Sequence, residues 1–370
     1  MSQVSAAHTG PRLRAALDAV PRYRAGAAAP SEAGAGGAAR RYKVASNENP
    51  FPPLPGVQAA IADAAAGVNR YPDFGAEALL QLLSNHVGDD VDQDRIALGT
   101  GSVALLQHAL EITCDDGGEV VYAWRSFEAY PILVRIVGAV PVEVPLDAEH
   151  CHDIKAMIAA VSPATRVVIL CSPNNPTGTA LSREQVITVL TETPSDVLVV
   201  LDEAYVEFVD EEQGIDAVAL IEDYPNLCIL RTFSKAYGLA GLRLGYAIAS
   251  PRVAEALRAV ATPFGISAPA QAAGCAVLAP AAAQELDRRI AHLTRERARV
   301  GAALGVAIAS NPQGNFIWLP IGERAVAFDA LCRANGLSVR LFPREGVRVT
   351  VAETPANDRL IALWLEFDRS

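Results

Sequence analysis

Histidine and cysteine are sparse in this chain, six of each among 370 residues, and neither shows the paired spacing of metal ligands. A structural metal and a disulfide framework are therefore not expected, and scattered thiols fit a reducing cytoplasm. Cys151-His152 reads as a surface coincidence rather than a metal site. No apolar run is long enough to span a bilayer, no secretory leader is read at the start, and no internal repeat recurs. Positive charge is also in deficit, with 31 Lys and Arg against 42 Asp and Glu, a formal net charge of −11. That balance argues against a general nucleic-acid or anionic-membrane surface. The basic cluster Arg12, Arg14, Arg22, Arg24, Arg40, Arg41 and Lys43 reads as solvated.

Aliphatic residues are plentiful. A hydrophobic content of 51% is ample for a substantial core, and the length exceeds that of a typical single domain. Val167–Leu170, Val197–Leu201 and Leu227–Leu230 are continuous, largely β-branched runs, the pattern of parallel strands covered on both faces. Glu119–Tyr122 reads as another strand. Each run is followed by a polar segment: Asn174-Asn175-Pro176-Thr177-Gly178, then Asp202-Glu203-Ala204-Tyr205, then Thr232-Phe-Ser-Lys235. Ligands collect at the carboxyl ends of parallel strands, so Asn175, Asp202 and Lys235 are expected to converge in one crevice.

Lys235 lies in a hydroxyl-rich, glycine-flanked turn with Arg243 two helical turns later. That arrangement suits an aldehyde cofactor carrying a phosphate: the amine can condense with the aldehyde, while Thr232, Ser234 and Arg243 hold the phosphate. Gly99-Thr-Gly101-Ser102-Val103 opens a helical pattern through Leu105, Leu106, Ala109, Leu110 and Ile112. Its free N–H groups offer a second phosphate contact, although a helix start without a ligand has the same appearance.

Together these motifs resemble the fold-type I, pyridoxal-phosphate-dependent aminotransferases, in the branch holding the histidinol-phosphate and aromatic amino acid aminotransferases. The resemblance runs from about Tyr23 to near the C-terminus. It implies that Lys235 carries the cofactor and later moves the substrate α-proton, and that Asp202 keeps the ring nitrogen protonated. Tyr205 and Asn175 would reach the ring's phenolic oxygen, and Phe127 would stack on the ring. Gly101, Ser102, Val103, Thr232, Ser234 and Arg243 would surround the phosphate. Tyr71, before Pro72, would cross to the partner's site, making the active unit a homodimer. Arg348 would clamp the substrate α-carboxylate, Arg340 is a candidate second anionic contact, and Tyr23 would help line the pocket. Trp124 and Tyr130 read as core or rim.

The expected fold is α/β, a large domain with a mostly parallel central sheet plus a smaller α/β domain. Residues 1–46 form an N-terminal segment with a small-residue loop expected to be mobile, 47–263 the large domain, and 264–370 a linking helix and small C-terminal domain. Asn315–Leu319, Leu337–Arg340 and Val347–Thr350 read as strands, with a long helix over Ala281–Leu304. Thr354-Pro355 reads as a threonine-capped helix start, and Leu360, Ile361, Trp364 and Leu365 as its buried stripe.

The expected donor is an aromatic amino acid (Phe, Tyr or Trp), with 2-oxoglutarate as acceptor in a ping-pong cycle, and histidinol phosphate is the alternative. Many histidinol-phosphate enzymes carry acidic residues after the Gly99–Gly101 turn, where this chain has Ser102-Val103-Ala104-Leu105. The Trp124–Phe127 and Asn315–Trp318 segments also look more like the aromatic branch. A lyase or decarboxylase on the same scaffold would keep Lys235, Asp202 and Arg243. A non-catalytic effector-binding module would ordinarily append a DNA-binding segment, for which neither end shows basic helical patterning.

Overall fold

The computed structural model describes residues 14–23, 40–88, 91–115, 117–305, 308 and 311–369. The small-residue tract over 25–39, and Arg12 and Arg24 of the basic cluster, lie outside the described residues. In chain order the strands are β1 (Tyr42–Lys43), β2 (Ile96–Gly99), β3 (Glu119–Trp124), β4 (Val140–Pro145), β5 (Thr165–Cys171), β6 (Leu198–Asp202), β7 (Leu227–Thr232), β8 (Gly245–Ala249), β9 (Phe316–Leu319), β10 (Leu337–Ser338), β11 (Arg340–Phe342) and β12 (Gly346–Thr350).

Seven of them form the central sheet, in the order β2-β8-β7-β6-β5-β3-β4. The pairs β7–β6, β6–β5, β5–β3 and β3–β4 are parallel, whereas β8 runs antiparallel to both its neighbours. The aliphatic runs explain the placement. Val168, Leu170, Val199, Leu201, Leu227 and Ile229 pack into one core, while Val167, Ile169, Leu198, Val200, Cys228 and Leu230 pack into another. Successive side chains of a strand point to opposite faces, so a central strand covered on both sides needs an apolar residue at every position. Burying one such side chain contributes about 1.5–3 kcal/mol, which is why these runs resist any polar interruption.

Helices cover the sheet where their sequence periodicity allows. In the helix Ser102–Glu111, Leu105, Leu106, Ala109 and Leu110 are buried, the stripe expected from the sequence. The helix Arg183–Glu192 begins with a capping box, in which Ser182 accepts from the Gln185 N–H and Gln185 accepts from the Ser182 N–H. Over the described residues, no helix is long and apolar enough to cross a membrane.

A second, three-stranded antiparallel sheet has β12 between β11 and β9, and β1 pairs in parallel with β10. The helix Pro280–Leu304 packs against β9 and against the last helix, Thr354–Phe367. Arg297 on the long helix is buried, donating to Phe208 O at 2.7 Å and pairing with Asp210 at 2.8 Å, which ties the helix to the segment after β6. Trp364 is buried and sits edge-on to Phe328 at 5.4 Å, the packing role read from its periodicity.

The last helix departs from expectation in two details. Glu353 rather than Thr354 is the N-cap, its carbonyl accepting from Ala356 and Asn357, and no side chain caps the turn. Leu365 is exposed, and the buried stripe instead takes in Leu363 beside Leu360 and Trp364, because the helix meets its neighbours one residue earlier than the pattern implied. Cys151-His152 also differs: His152 is buried, and burial lowers its pKa to about 4. It is a neutral core imidazole and not a surface residue.

Candidate active site

The carboxyl ends of β2, β3, β5, β6 and β7 deliver the expected side chains to one crevice. At one end, β2 runs into Gly101 and the helix Ser102–Glu111. Gly101 has φ +87°, a backbone conformation that favours glycine, and Arg243 Nη2 comes within 2.5 Å of where a Cβ would stand. Gly245 on β8 is equally constrained, since a Cβ would meet the Ser102 backbone nitrogen at 2.6 Å. Arg243 donates to Ser234 Oγ at 3.4 Å and to Ala240 O at 2.9 Å. Thr232 shapes the turn from within, its hydroxyl donating to Ser234 Oγ at 3.0 Å and accepting from the Ser234 N–H at 3.1 Å. The result is a concave cradle of backbone N–H groups, one hydroxyl and one guanidinium, suited to a phosphate.

Lys235 Nζ lies 3.3 Å from Asn47 O and 3.5 Å from Ser46 O, its only close partners in the described residues being neutral carbonyls. Its pKa is lowered to about 8, first by burial and then by Arg348, with Glu48 acting in the opposite sense. The amine therefore loses its proton close to neutrality, which suits a group that must carry one.

Asp202, at the end of β6, is buried, and burial raises its pKa to about 6. The Tyr130 hydroxyl donates to its Oδ2 at 2.8 Å, while Oδ1 is buried without a partner. A carboxylate oxygen left bare in the interior is costly, and a cationic N–H is the group that would satisfy it. Tyr205 is buried, with its ring edge-on to Phe316 at 4.9 Å. Its hydroxyl accepts from Asn47 Nδ2 at 3.0 Å, which leaves its own proton available to donate. Burial pushes that phenol well above its usual pKa, so it remains protonated.

Opposite, Arg348 on β12 is buried, as are Val347 and Val349 on the other face of the strand. Its Nη1 donates to Asn175 Oδ1 and its Nη2 to Ala45 O at 2.7 Å, while Nε is buried without a partner. The Nε–H and the second hydrogen on each terminal nitrogen are thus left to grip an anion. Its pKa is lowered, mainly by burial, and Tyr205, Arg340, Glu128 and Tyr23 are the charged or titratable groups near enough to act on it. Asn175, held through its oxygen, keeps its amide N–H₂ free to donate.

Arg340 is ion-paired to Glu128, with Nη2–Oε2 at 2.5 Å, and Arg125 pairs with Glu345. Arg125 also lies over the Trp124 ring at 4.4 Å. Tyr23, Arg22, Trp124, Arg125 and Glu128 line a cavity of about 360 Å³ at this mouth. Phe127 is half-buried and edge-on to Tyr130 at 5.6 Å. Tyr71 is 82% exposed and stacks on Phe264 at 4.6 Å.

Sequence reasoning missed several members of this network. Tyr130, read as core or rim, is fully buried and bonded to Asp202; the signal was a tyrosine three residues after Phe127 whose buried hydroxyl needs a partner. Asn47 has φ 52° and bonds both Tyr205 and Thr350, whose hydroxyl accepts from the Asn47 N–H at 2.8 Å and donates to Asn47 Oδ1 at 3.1 Å. Ser126 donates to Asn174 Oδ1 at 2.6 Å, locking the segment after β3 to the Asn174–Gly178 turn.

Comparison with known proteins agrees with this geometry. Residues 41–362 match the family described as aminotransferase class I and II. The aromatic amino acid aminotransferase of Streptomyces coelicolor is 48% identical over 361 residues, covering 97% of this chain and 98% of that one. That of Streptomyces avermitilis is 49% identical over 361 residues, with the same coverage. Among solved structures, histidinol-phosphate aminotransferase from Sinorhizobium meliloti, in complex with pyridoxal-5'-phosphate, is similar with TM-score 0.80 at 30% identity, covering 88% of this chain and 90% of that one. The mostly parallel sheet, with the expected site residues after its strand ends, is the fold-type I arrangement that the sequence motifs implied. With the match spanning most of its length, the chain belongs to the aminotransferase class I and II family.

Proposed function

We propose that the protein is a pyridoxal-phosphate-dependent aminotransferase that takes the amino group of phenylalanine, tyrosine or tryptophan and passes it to 2-oxoglutarate by a ping-pong mechanism. The observation that carries this reading is the meeting of Lys235, with its depressed pKa, the bare buried oxygen of Asp202 and the Gly101–Arg243 cradle in one crevice. These residues fit the cofactor: the cradle suits its phosphate, Asp202 its protonated ring nitrogen, and Tyr205 and Asn175 its phenolic oxygen. When bound, the cofactor supplies an aldehyde for the amino group and a ring that accepts an electron pair.

The chain's own residues do the rest. Arg348 holds the substrate carboxylate and so orients the α-carbon toward Lys235. Lys235 takes the α-proton as a neutral amine. Asp202, oriented by Tyr130, stays ionised opposite a cation, since that partner opposes the burial that otherwise raises its pKa.

The curated relatives favour an aromatic donor. Histidinol phosphate is kept as a second reading because the Sinorhizobium meliloti structure is similar over most of both chains and Arg340 adds a second cation beside Arg348. Single-turnover rates with phenylalanine, tyrosine, tryptophan and histidinol phosphate decide between them. Faster conversion of the aromatic donors is expected, and a clear preference for histidinol phosphate overturns the donor assignment. Release of ammonia or carbon dioxide without a keto-acid acceptor would instead indicate a lyase or decarboxylase.

Three further assignments belong to this reading. The active unit is a homodimer in which Tyr71 reaches the partner's site, supported by the exposed aromatic group Tyr71, Phe74 and Phe264. Residues 47–263 act as the large domain, with the N-terminal segment and 264–370 as the smaller one, supported by the separate three-stranded sheet. A cytoplasmic location is supported by the six unpaired cysteines.

A further inference from the structure

Arg340 and Arg348 are directly opposed across the β11–β12 ladder, so their side chains leave the same face of the sheet. Two guanidinium groups on neighbouring strands repel one another and together suit a doubly charged ligand. Glu128 offsets that charge. Its Oε2 accepts from Arg340 Nε at 3.1 Å and from Nη2 at 2.5 Å, and Arg340, only 11% exposed, has its guanidinium over the Phe342 ring at 5.6 Å. Glu128 follows Phe127 directly and is close enough to act on the ionisation of Arg348, so the three charges form one group at the substrate end. Their sum is a single positive charge, which matches one carboxylate.

We infer that Glu128 is a specificity-determining residue: by holding Arg340 it cancels one of two cations beside the substrate, favouring donors with one carboxylate and a neutral side chain. A ligand with a second anionic group at its far end, a phosphate monoester or a second carboxylate, must displace Glu128 from Arg340 in order to bind. The proposed acceptor 2-oxoglutarate carries such a group and binds at the cost of that displacement. This inference rests on the aminotransferase reading and adds the residue that sets its substrate class. It differs from uniform attraction, because only the relative affinity for singly and doubly charged ligands is set by Glu128.

The test compares dissociation constants of 3-phenylpropionate and glutarate, which lack an amino group, measured calorimetrically on cofactor-loaded wild type and Glu128→Gln. Removing the competing carboxylate should raise the preference for glutarate over 3-phenylpropionate by about tenfold, the scale of one partly exposed charge pair beside a buried one. A change below about twofold, or one favouring 3-phenylpropionate, overturns the inference. Arg340→Gln provides a second arm, independent of whether Glu128→Gln folds. It should lower the preference for glutarate below the wild-type value, and an unaltered preference also overturns the inference. If the wild type converts no amino donor, the aminotransferase reading fails, while the ratio of binding constants still decides the role of Glu128.

Discussion

Behind Lys235 stand two buried hydrogen-bonded pairs, Asp202 with Tyr130 at 2.8 Å and Tyr205 with Asn47 at 3.0 Å. In front of it, Arg340, Glu128, Arg125 and Glu345 are partly exposed and meet across the gap between the central sheet and the three-stranded one. The floor of the crevice is made of neutral hydrogen-bonding groups, a hydroxyl donor at Asp202 and carbonyl acceptors at Lys235, around two groups whose pKa values burial drives toward neutrality, Asp202 up and Lys235 down. The mouth is made of opposite charges that largely cancel. Floors of this kind fix chemistry, because each group is immobile and poorly solvated, so its electrostatic influence is large. Mouths of this kind fix preference, because exposed pairs are weak enough for a ligand to rearrange.

Substitutions in the floor should therefore cost far more than those in the mouth. The largest effect belongs to Lys235→Ala, which should lower turnover by about ten-thousandfold or more, since both its covalent and its proton-carrying roles are lost. Single-turnover kinetics with phenylalanine check this, and wild-type rates would remove Lys235 from the chemistry. Asp202→Asn comes next, with an expected fall of about a thousandfold in turnover, on the scale of losing one preorganised charge.

Asp202→Asn also sharpens the contrast through stability. A carboxyl group whose pKa rises on folding contributes its stability below the unfolded value and loses it as pH climbs through the folded one. For Asp202 that window runs from about 4 to about 6. The cofactor-free wild type should thus be less stable than Asp202→Asn above pH 6, by on the order of 2–3 kcal/mol, with the gap closing below about pH 4. Thermal unfolding of both cofactor-free proteins across that range provides the check, and a gap that does not vary with pH contradicts it.

Arg348 joins the two regions, and Arg348→Lys should reduce kcat/KM for phenylalanine by about a hundredfold, because an ammonium cannot reproduce the fork of donors. The smallest effect is expected at the mouth. Arg125→Ala removes a part-exposed ion pair and a cation–π contact, and should change kcat/KM less than about fivefold. A loss there as large as that of Arg348→Lys would erase the distinction between floor and mouth.

The floor was more legible in the sequence than the mouth. Val167–Leu170, Val197–Leu201 and Leu227–Leu230 could be read as strands because burial on both faces leaves a continuous aliphatic run. Once those strands were placed, the residues after them had to share one end of the sheet, which brought Asn175, Asp202 and Lys235 together. Hydrogen-bond partners were not readable. Asn47 and Thr350 are 303 residues apart, and nothing local to either marks the other. Tyr130 looked like packing because a buried tyrosine is packing along most of its length, and only its hydroxyl reports Asp202. The ion pairs of the mouth depend on how the β11–β12 hairpin sits against the end of β3, a tertiary relation with no sequence period. The Thr354 cap failed by a single residue, the usual scale of uncertainty at a helix end.

The most direct test of the central claim is borohydride reduction of the protein loaded with pyridoxal phosphate, followed by proteolysis and mass spectrometry of the peptide spanning Thr232–Tyr246. One cofactor-sized mass addition on Lys235, absent from Lys235→Ala, is the predicted result. An unmodified Lys235, or label fixed on another lysine, would contradict the account.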